Sequence, residues 1–262
     1  MISAASIWAI ILRHIRLFRH DLNALLYGFY WPLLDVLTWG FLGIWIQQSA
    51  HFENYETIAL LGLLLFQIVG RGCNFINLAL CEELWSRNIV NLFSLPLRMS
   101  EWICSIILLY MIMTAITSLA CVLVISMFYD IAMWHFLATL LRFTPPLLFS
   151  GIWLGFTGLQ ITVTLGRRGA ELANVLTWFF LPFTGAYYPI EVLPSWGQRI
   201  GACLPMSYVF EGMRKYMIHQ QDPTPYLIKG YMLGIPYALS AIILFVYCFN
   251  RSKQKGLARL TD

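Results

Sequence analysis

Trp102-Ile-Cys-Ser-Ile-Ile-Leu-Leu-Tyr-Met-Ile-Met-Thr-Ala-Ile-Thr-Ser-Leu-Ala-Cys-Val-Leu-Val-Ile-Ser-Met-Phe128 contains no charged residue. It exceeds the roughly 20 apolar residues that cross a bilayer as a helix. Working outward from it, five further apolar stretches occupy 24–46, 58–80, 137–165, 172–190 and 231–249, with 102–128 standing third in order. Hydrophobic residues make up 59% of the 262 and charged residues 11%, where a soluble domain carries about 25% charge. The chain therefore reads as an all-α integral membrane protein with six transmembrane helices in one domain, 1–262.

The fourth stretch is blurred near Arg142 and the Pro145-Pro146 pair. Between the fifth and sixth, Leu193 to Tyr208 is too short and too interrupted for a span. Pro189, Pro194, Gly197, Gly201 and Pro205 break any continuous helix there, yet Trp196, Ile200, Cys203, Leu204 and Met206 are too apolar for a solvated loop. Non-helical backbone at depth must be sheltered by protein, so 187–215 reads as an external re-entrant segment of short helices. Tyr187, Tyr188, Pro189, Pro194, Trp196, Ile200, Leu204 and Pro205 of this segment are candidate residues of an external gate. Structural packing explains the same apolar residues equally well.

Orientation follows from the basic residues. With the N-terminus inside, the cytosolic segments carry Arg13, Arg16, Arg19, Arg87, Arg98, Arg167, Arg168, Arg251, Lys253, Lys255 and Arg259, against Arg142, Arg199, Arg214, Lys215 and Lys229 outside. That excess puts both termini in the cytosol of a cell inner (plasma) membrane. The net charge of +4 is then topology and attraction to anionic lipid, and no nucleic-acid partner is needed. Residues 1–23 place Ile7, Trp8, Ile11, Leu12, Ile15 and Phe18 at helical spacing with Arg13, Arg16 and His20 on another side. An amphipathic interfacial helix is expected rather than a cleavable signal peptide, since no small-residue cleavage site follows an apolar run; a plain basic flank is the alternative.

Chemistry-bearing motifs are scarce. Cys73, Cys81, Cys104, Cys121, Cys203 and Cys248 show no C-x-x-C spacing, and His14, His20, His51, His135 and His219 are scattered and read as surface or interfacial. The sequence has no phosphate-binding G-x-x-x-x-G-K-[ST], no H-E-x-x-H and no G-x-S-x-G, so it offers no enzymatic centre, no metal site and no cofactor of its own. Two ionisable residues stand clear of span ends: Asp35 in the first and Arg71 in the second. Both are expected roughly 13–17 Å deep at about 1.5 Å per residue. An intramembrane pair that fixes helix packing is one reading, and a substrate or proton path the other.

The segment 82–98, between the second and third spans, holds Trp85, Ile89, Leu92 and Phe93 on one helical face and Arg87, Asn88, Asn91 and Ser94 largely on another, until Pro96 ends it. Such a cytosolic helix rests on lipid or docks into a partner.

A basic amphipathic start, six spans, an Arg-Asn-Ile segment followed by Leu95-Pro96-Leu97, then Tyr188-Pro189-Ile190-Glu191-Val192-Leu193-Pro194, Pro205-Met206-Ser207-Tyr208 and Glu211-Gly212-Met213-Arg214 together resemble the type 2 ABC exporter permeases. One departure is Leu204-Pro205, where that family often has Asn-Pro. The resemblance implies a half-transporter that pairs as a homodimer and binds two copies of a cytosolic ABC ATPase, with ATP and Mg held in that partner subunit. It further implies ATPase coupling through Leu84, Trp85, Arg87, Asn88, Ile89 and Phe93, and a second contact through Arg167, Arg168 and Glu171. The substrate class it implies is a lipid-linked glycan, a lipid or a hydrophobic small molecule. Trp31, Trp39, Trp45, Trp153, Trp178, Phe179, Phe180, Tyr187 and Tyr188 lie in or near spans, where rings stack on substrate or form interface belts and helix packing. A non-transporting membrane scaffold is the alternative.

Overall fold

A computed structural model describes residues 3–20, 22–50, 55–86 and 97–254. Its helices are α1 (Ala4–His20), α2 (Leu22–Leu25), a π-helical turn (Leu26–Tyr30), α3 (Trp31–Ala50), α4 (Tyr55–Trp85), α5 (Met99–Phe128), α6 (Met133–Leu165), α7 (Arg167–Phe180), α8 (Ser195–Cys203), α9 (Pro205–His219) and α10 (Thr224–Gln254). Among the described residues, five helical stretches are long and apolar enough to cross a membrane: Gly28–Ser49, Tyr55–Trp85, Met99–Phe128, Met133–Leu165 and Thr224–Gln254. The chain is a multi-pass membrane protein, all-α among the described residues.

The stretch expected to span over 172–190 is built differently. Its helix starts earlier, at Arg167, and ends at Phe180; a 3₁₀ turn (Leu181–Phe183) follows, and Gly185 takes a positive φ of 71°. Pro182 and Pro189 cannot continue a helical ladder, and Gly185 supplies a left-handed backbone that L side chains rarely adopt. The apolar composition was read correctly and the continuity was not.

In α6, by contrast, the helix runs through Pro145 and Pro146 and begins at Met133. Thr144 donates its hydroxyl to the Leu140 carbonyl at 2.7 Å, one of several hydroxyl back-bonds that keep polar groups satisfied in apolar surroundings.

α4 is the hub. It packs on α3, α5, α6 and α7 and is buried along most of its length. Its approach to α6 is set by glycine: a Cβ on Gly72 would collide with the backbone of Gly151, and one on Gly155 would collide with the Gly72 carbonyl and Ile76. Gly151-Ile-Trp-Leu-Gly155 is a small-xxx-small face, the device by which membrane helices gain van der Waals contact without a hydrophobic drive. Cross-helix hydrogen bonds then fix the register: Tyr110 Oη donates to the Ile68 carbonyl (2.9 Å), Tyr129 Oη to the Val36 carbonyl (3.0 Å), and Gln160 Nε2 to the Ala241 carbonyl (2.9 Å).

Helix directions follow from these contacts. Along α6 and α10, Pro146 lies by Gly230, Trp153 by Tyr237, and Val163 accepts from Ser252, so the two helices run parallel. Along α6 and α7, Gly169 lies by Ile161, Ala173 by Gly158 and Phe180 by Trp153, so α7 runs back antiparallel. The chain thus returns along α7 to the end of the bundle where α10 begins. There α8 and α9 form the expected short helices: Arg214 donates to the Gly185 carbonyl, Ser207 Oγ to the Phe183 carbonyl (3.2 Å), and Leu204 is buried while Trp196 and Ile200 are exposed. Lys215 bonds Glu211 and Tyr226, which hold its ammonium above the usual lysine range.

Gly72→Leu would force α4 and α6 apart, and overpacking of this kind costs about 1–3 kcal/mol. The expected outcome is a lower unfolding midpoint in an SDS titration of the detergent-solubilised protein. A midpoint equal to wild type would place no close contact at Gly72.

Candidate functional site

Three arrangements gather polar chemistry in this apolar bundle, and α4 contributes to each. The first is at the end where α4 stops and α5 starts. α1 lies across it with Ile10, Ile11 and His14 buried and Trp8 outward. Arg13 Nη2 sits 2.8 and 2.9 Å from the two carboxylate oxygens of buried Glu83, and His14 Nδ1 and Glu82 Oε2 share a hydrogen bond of 2.9 Å. On the α5 side, Glu101 accepts from the backbone N–H of Ser3 at 2.8 Å and of Arg98 at 3.0 Å. α1 therefore holds both flanks of the segment 87–96.

His14 is a buried, carboxylate-bonded residue rather than a surface one, and Arg13 is an ion-pair partner as well as a topology signal. The Glu82-Glu83 pair at a span end, facing a basic amphipathic helix, was the signal available in the sequence. Of the expected coupling residues, Leu84 is buried and Trp85 is 56% exposed at the last position of α4. Arg87, Asn88, Ile89 and Phe93 lie outside the described residues, as does the side chain of Arg167. Arg168 and Glu171 are exposed on the first turns of α7, with Glu171 close enough to Cys81 of α4 to interact with it electrostatically.

The second arrangement surrounds Arg71, which is only 6% exposed. Its guanidinium donates to Gln67 Oε1 (3.0 Å) and Ser118 Oγ (3.3 Å) and reaches Cys121 Sγ (4.0 Å). Asp35 does not touch it. Gln67 lies between them instead: its Oε1 accepts from Arg71, and its Nε2 donates at 3.3 Å to the carbonyl of Pro32, about one turn before Asp35 on α3. The expected pair is thus spaced apart, because Gln67 lies one helical turn before Arg71 on the same face of α4 and ties that guanidinium to the α3 backbone near Asp35, a bridged triad in which the charges do not meet. A glutamine has both donors and acceptors, and so links a cation to a carboxylate that a direct contact would otherwise join.

The third is the strip of α4 between its contacts with α3 (Gln67 to Pro32) and with α7 (Cys73 to Ala173), a furrow by the exposed side chains along it. Gly70 lies against Thr177, Cys73 Sγ donates to the Ala173 carbonyl at 3.2 Å, and Phe66 meets the Trp178 ring at 6.4 Å. Asn74 is one turn beyond Gly70 and Asn174 one turn before Trp178, so both fall beside this seam at the same height, and both are exposed. On α3, Asp35 is half-buried and Thr38 exposed. Toward the α8 end the furrow is sealed by aromatic rings: Trp39 and Tyr187 stack at 4.7 Å with planes 5° apart, and Tyr187 also meets Phe66 at 6.2 Å. Of the expected gate residues, Tyr187 joins this seal and Tyr188 is tied back to the Pro182 carbonyl at 2.8 Å. Trp196 packs edge-on against Phe183, exposed Pro189 and Pro194 precede Ile190–Val192 and α8, and Pro205 opens α9.

Sequence reading missed Gln67, Asn74 and Asn174. Each is uncharged, and a search for ionisable residues in spans passes over carboxamides, although these are also costly against lipid. The two best-formed cavities among the described residues measure only about 10 and 20 Å³, whereas a small-molecule pocket runs to about 300–1,000 Å³.

The sequence model for the ABC-2 type transporter family matches residues 5–218, and the chain belongs to that family. A stretch of 95 residues is 24% identical to "Uncharacterized protein YhgE" of Bacillus subtilis (strain 168); it makes up 36% of this chain and spans only 12% of that protein.

The bridged triad makes a measurable difference to coupling. Arg71→Gln should cost about 1–3 kcal/mol by stranding the buried neutral acceptors around it, and Asp35→Asn about 1 kcal/mol. Because Gln67 separates the charges, the double-mutant coupling energy between Asp35 and Arg71 should stay below about 1 kcal/mol and vanish in a Gln67→Leu background. SDS unfolding of the full set measures it; a coupling of several kcal/mol that survives Gln67→Leu would mean that the charges meet directly.

Proposed function

We propose that this chain is the transmembrane subunit of an ATP-driven ABC exporter, working as a homodimer with two copies of a cytosolic ABC ATPase. The furrow is the observation that carries the reading. Asn74, Asn174 and Thr38 are exposed in the middle of an apolar bundle, and polar groups left against hydrocarbon cost several kcal/mol each. A second copy of the chain laid over the furrow would turn it into a sheltered path. Membership of the ABC-2 type transporter family supports transport.

In this reading α7 with its 3₁₀ turn makes the sixth crossing, about 27 Å at 1.5 Å per α-helical and 2.0 Å per 3₁₀ residue. Six crossings put both termini in the cytosol, the side favoured by the arginine and lysine excess, in the cell inner membrane. The α1 end is then cytosolic and the α8–α9 end external, with 187–215 dipping into the outer leaflet. ATP and Mg bind in the ATPase, whose closure pushes on 82–98. Because α1 grips both flanks of that segment through Glu82, Glu83 and Glu101, the push moves α1, α4 and α5 together. α4 forms the furrow floor and carries Phe66 of the seal, so its displacement loosens Trp39 and Tyr187. The cargo is a lipid-linked glycan, a lipid or a hydrophobic small molecule.

Two measurements test this. Trp85→Glu places a charge in the ATPase contact and should abolish substrate-stimulated ATP hydrolysis in the purified complex while the permease remains folded in the membrane. Unchanged stimulation and copurification would remove this residue from the contact, and failure to copurify any ATPase with the wild type would favour a scaffold. On the external side, single cysteines at Trp196 and Ile200 should react with a membrane-impermeant thiol reagent and one at buried Leu204 should not, until ATP is trapped. Equal, strong labelling at all three positions in both states would mean a static, exposed loop.

A further inference from the structure

We propose that α1 is a headgroup site for an anionic phospholipid, with the phosphate held between the guanidinium groups of Arg13 and Arg16. α1 runs from Ala4 to His20 without one acidic residue. Its inward face is occupied: Ile10, Ile11 and His14 are buried, with His14 on Glu82 and Arg13 on Glu83. Its outward face has charge left over. Arg16 is exposed and pairs with no acid among the described residues. Arg13 reaches Glu83 through Nη2, its side chain is 37% exposed, and its Nε and Nη1 donate to nothing among the described residues.

Three residues apart, Arg13 and Arg16 are neighbours on the helix surface. Helical side chains lean back toward the N-terminus, and on that side α1 carries exposed Ala5 and Ala9, which leave room beside both guanidinium groups. A guanidinium presents its donors as a planar fork that matches a phosphate, so two forks side by side hold one in a way that two lysine point charges would not. The charges balance as well. Arg13 is offset by Glu83, so the pair has one cation over, equal to the single negative charge of a phosphodiester. Glu83, whose side chain is 1% exposed, also holds the Arg13 guanidinium in place before any ligand arrives, which lowers the ordering cost of binding.

Apolar residues around the arginines mark the ligand as a lipid rather than free phosphate or an acidic protein surface. Trp8, 55% exposed, precedes the pair, and Leu17, 43% exposed, follows it. An indole with its N–H suits the headgroup level of a membrane and a leucine the acyl boundary, so the arginines between them lie at phosphate depth. A lipid held there pins α1 to the leaflet, and with it the ends of α4 and α5 that α1 grips through Glu82, Glu83 and Glu101. The proposal needs only that this end of the bundle meets a membrane face; neither an ATPase nor a cargo enters it.

The test is quenching of Trp8 fluorescence in the full chain, reconstituted without an ATPase into phosphatidylcholine bilayers that contain either dibrominated phosphatidylglycerol or dibrominated phosphatidylcholine. The difference between wild type and Trp8→Phe isolates the Trp8 signal from the other tryptophans. Phosphatidylglycerol should be favoured beside Trp8 about fivefold, the worth of one basic residue at an anionic surface. Arg16→Gln should remove that preference, and Arg16→Lys, which keeps the charge without the fork, should retain only part of it. Arg251→Gln is the control, because Arg251 is exposed at the same end of the bundle, and it should leave the preference unchanged. Equal quenching by the two lipids in the wild type would overturn the proposal, and so would a loss in Arg251→Gln as large as that in Arg16→Gln, which would mean diffuse attraction to a basic surface. With no ATPase present, failure of the transport reading would leave either result standing.

Discussion

The close approach of α4 and α6 at glycine is the contact on which the rest depends. Between membrane helices the lipid is as apolar as any leucine, so burial alone gives little drive to associate, and contact distance decides the gain. Gly72 lying on Gly151, and Gly155 on Gly72 and Ile76, bring the two backbones together where any Cβ would hold them apart. The neighbouring helices then find register around that pair: α5 through Tyr110 and the Ile68 carbonyl, α10 through Gln160 and the Ala241 carbonyl, and α7 through Cys73 and the Ala173 carbonyl.

Placing one helix at the centre also ties the polar sites together. Along α4, read from the α8 end, come Phe66 in the aromatic seal, Gln67 and Arg71 in the triad, Gly70 and Asn74 on the furrow floor, and Glu82 and Glu83 under α1. These span about 26 Å of a helix that is a rigid body on the scale of an ångström. A displacement applied at Trp85 is therefore felt at Phe66 without any special relay. What must yield are contacts across helices, and a stacked ring pair such as Trp39 and Tyr187 can slide at less cost than a buried ion pair can break.

Much of this was legible in the sequence, for identifiable reasons. Apolar length marked five long helices because the bilayer sets a length requirement, and amphipathic spacing marked α1. Pro189, Pro194 and Pro205 marked the short helices α8 and α9 because proline constrains the backbone locally. The stretch 172–190 was misjudged because composition does not register where Pro182 and Gly185 bend the chain. Asp35 and Arg71 were singled out by charge, but the glutamine between them could be found only once the helices had been set side by side. The Gly151-x-x-x-Gly155 face was visible as a pattern, whereas its partner Gly72 carries no signal of its own and is known only from the packing.

A last point concerns which polar groups the bundle hides and which it leaves open. Arg71, the most expensive group to bury, is surrounded by Gln67, Ser118 and Cys121. Asn77 is buried with its amide oxygen accepting from Thr162 at 2.7 Å. Glu83 is buried against Arg13. The protein thus has partners for charges and carboxamides where it needs stability, on the same helix that leaves Asn74 open. Asn74 lies three residues from Asn77, close to one helical turn, so a small rotation of the sequence pattern would have buried it too. An exposed carboxamide nearly one turn from a satisfied one, on the flank of α4 that meets α7 with its own exposed Asn174, is a polar cost that this single chain leaves uncompensated against hydrocarbon.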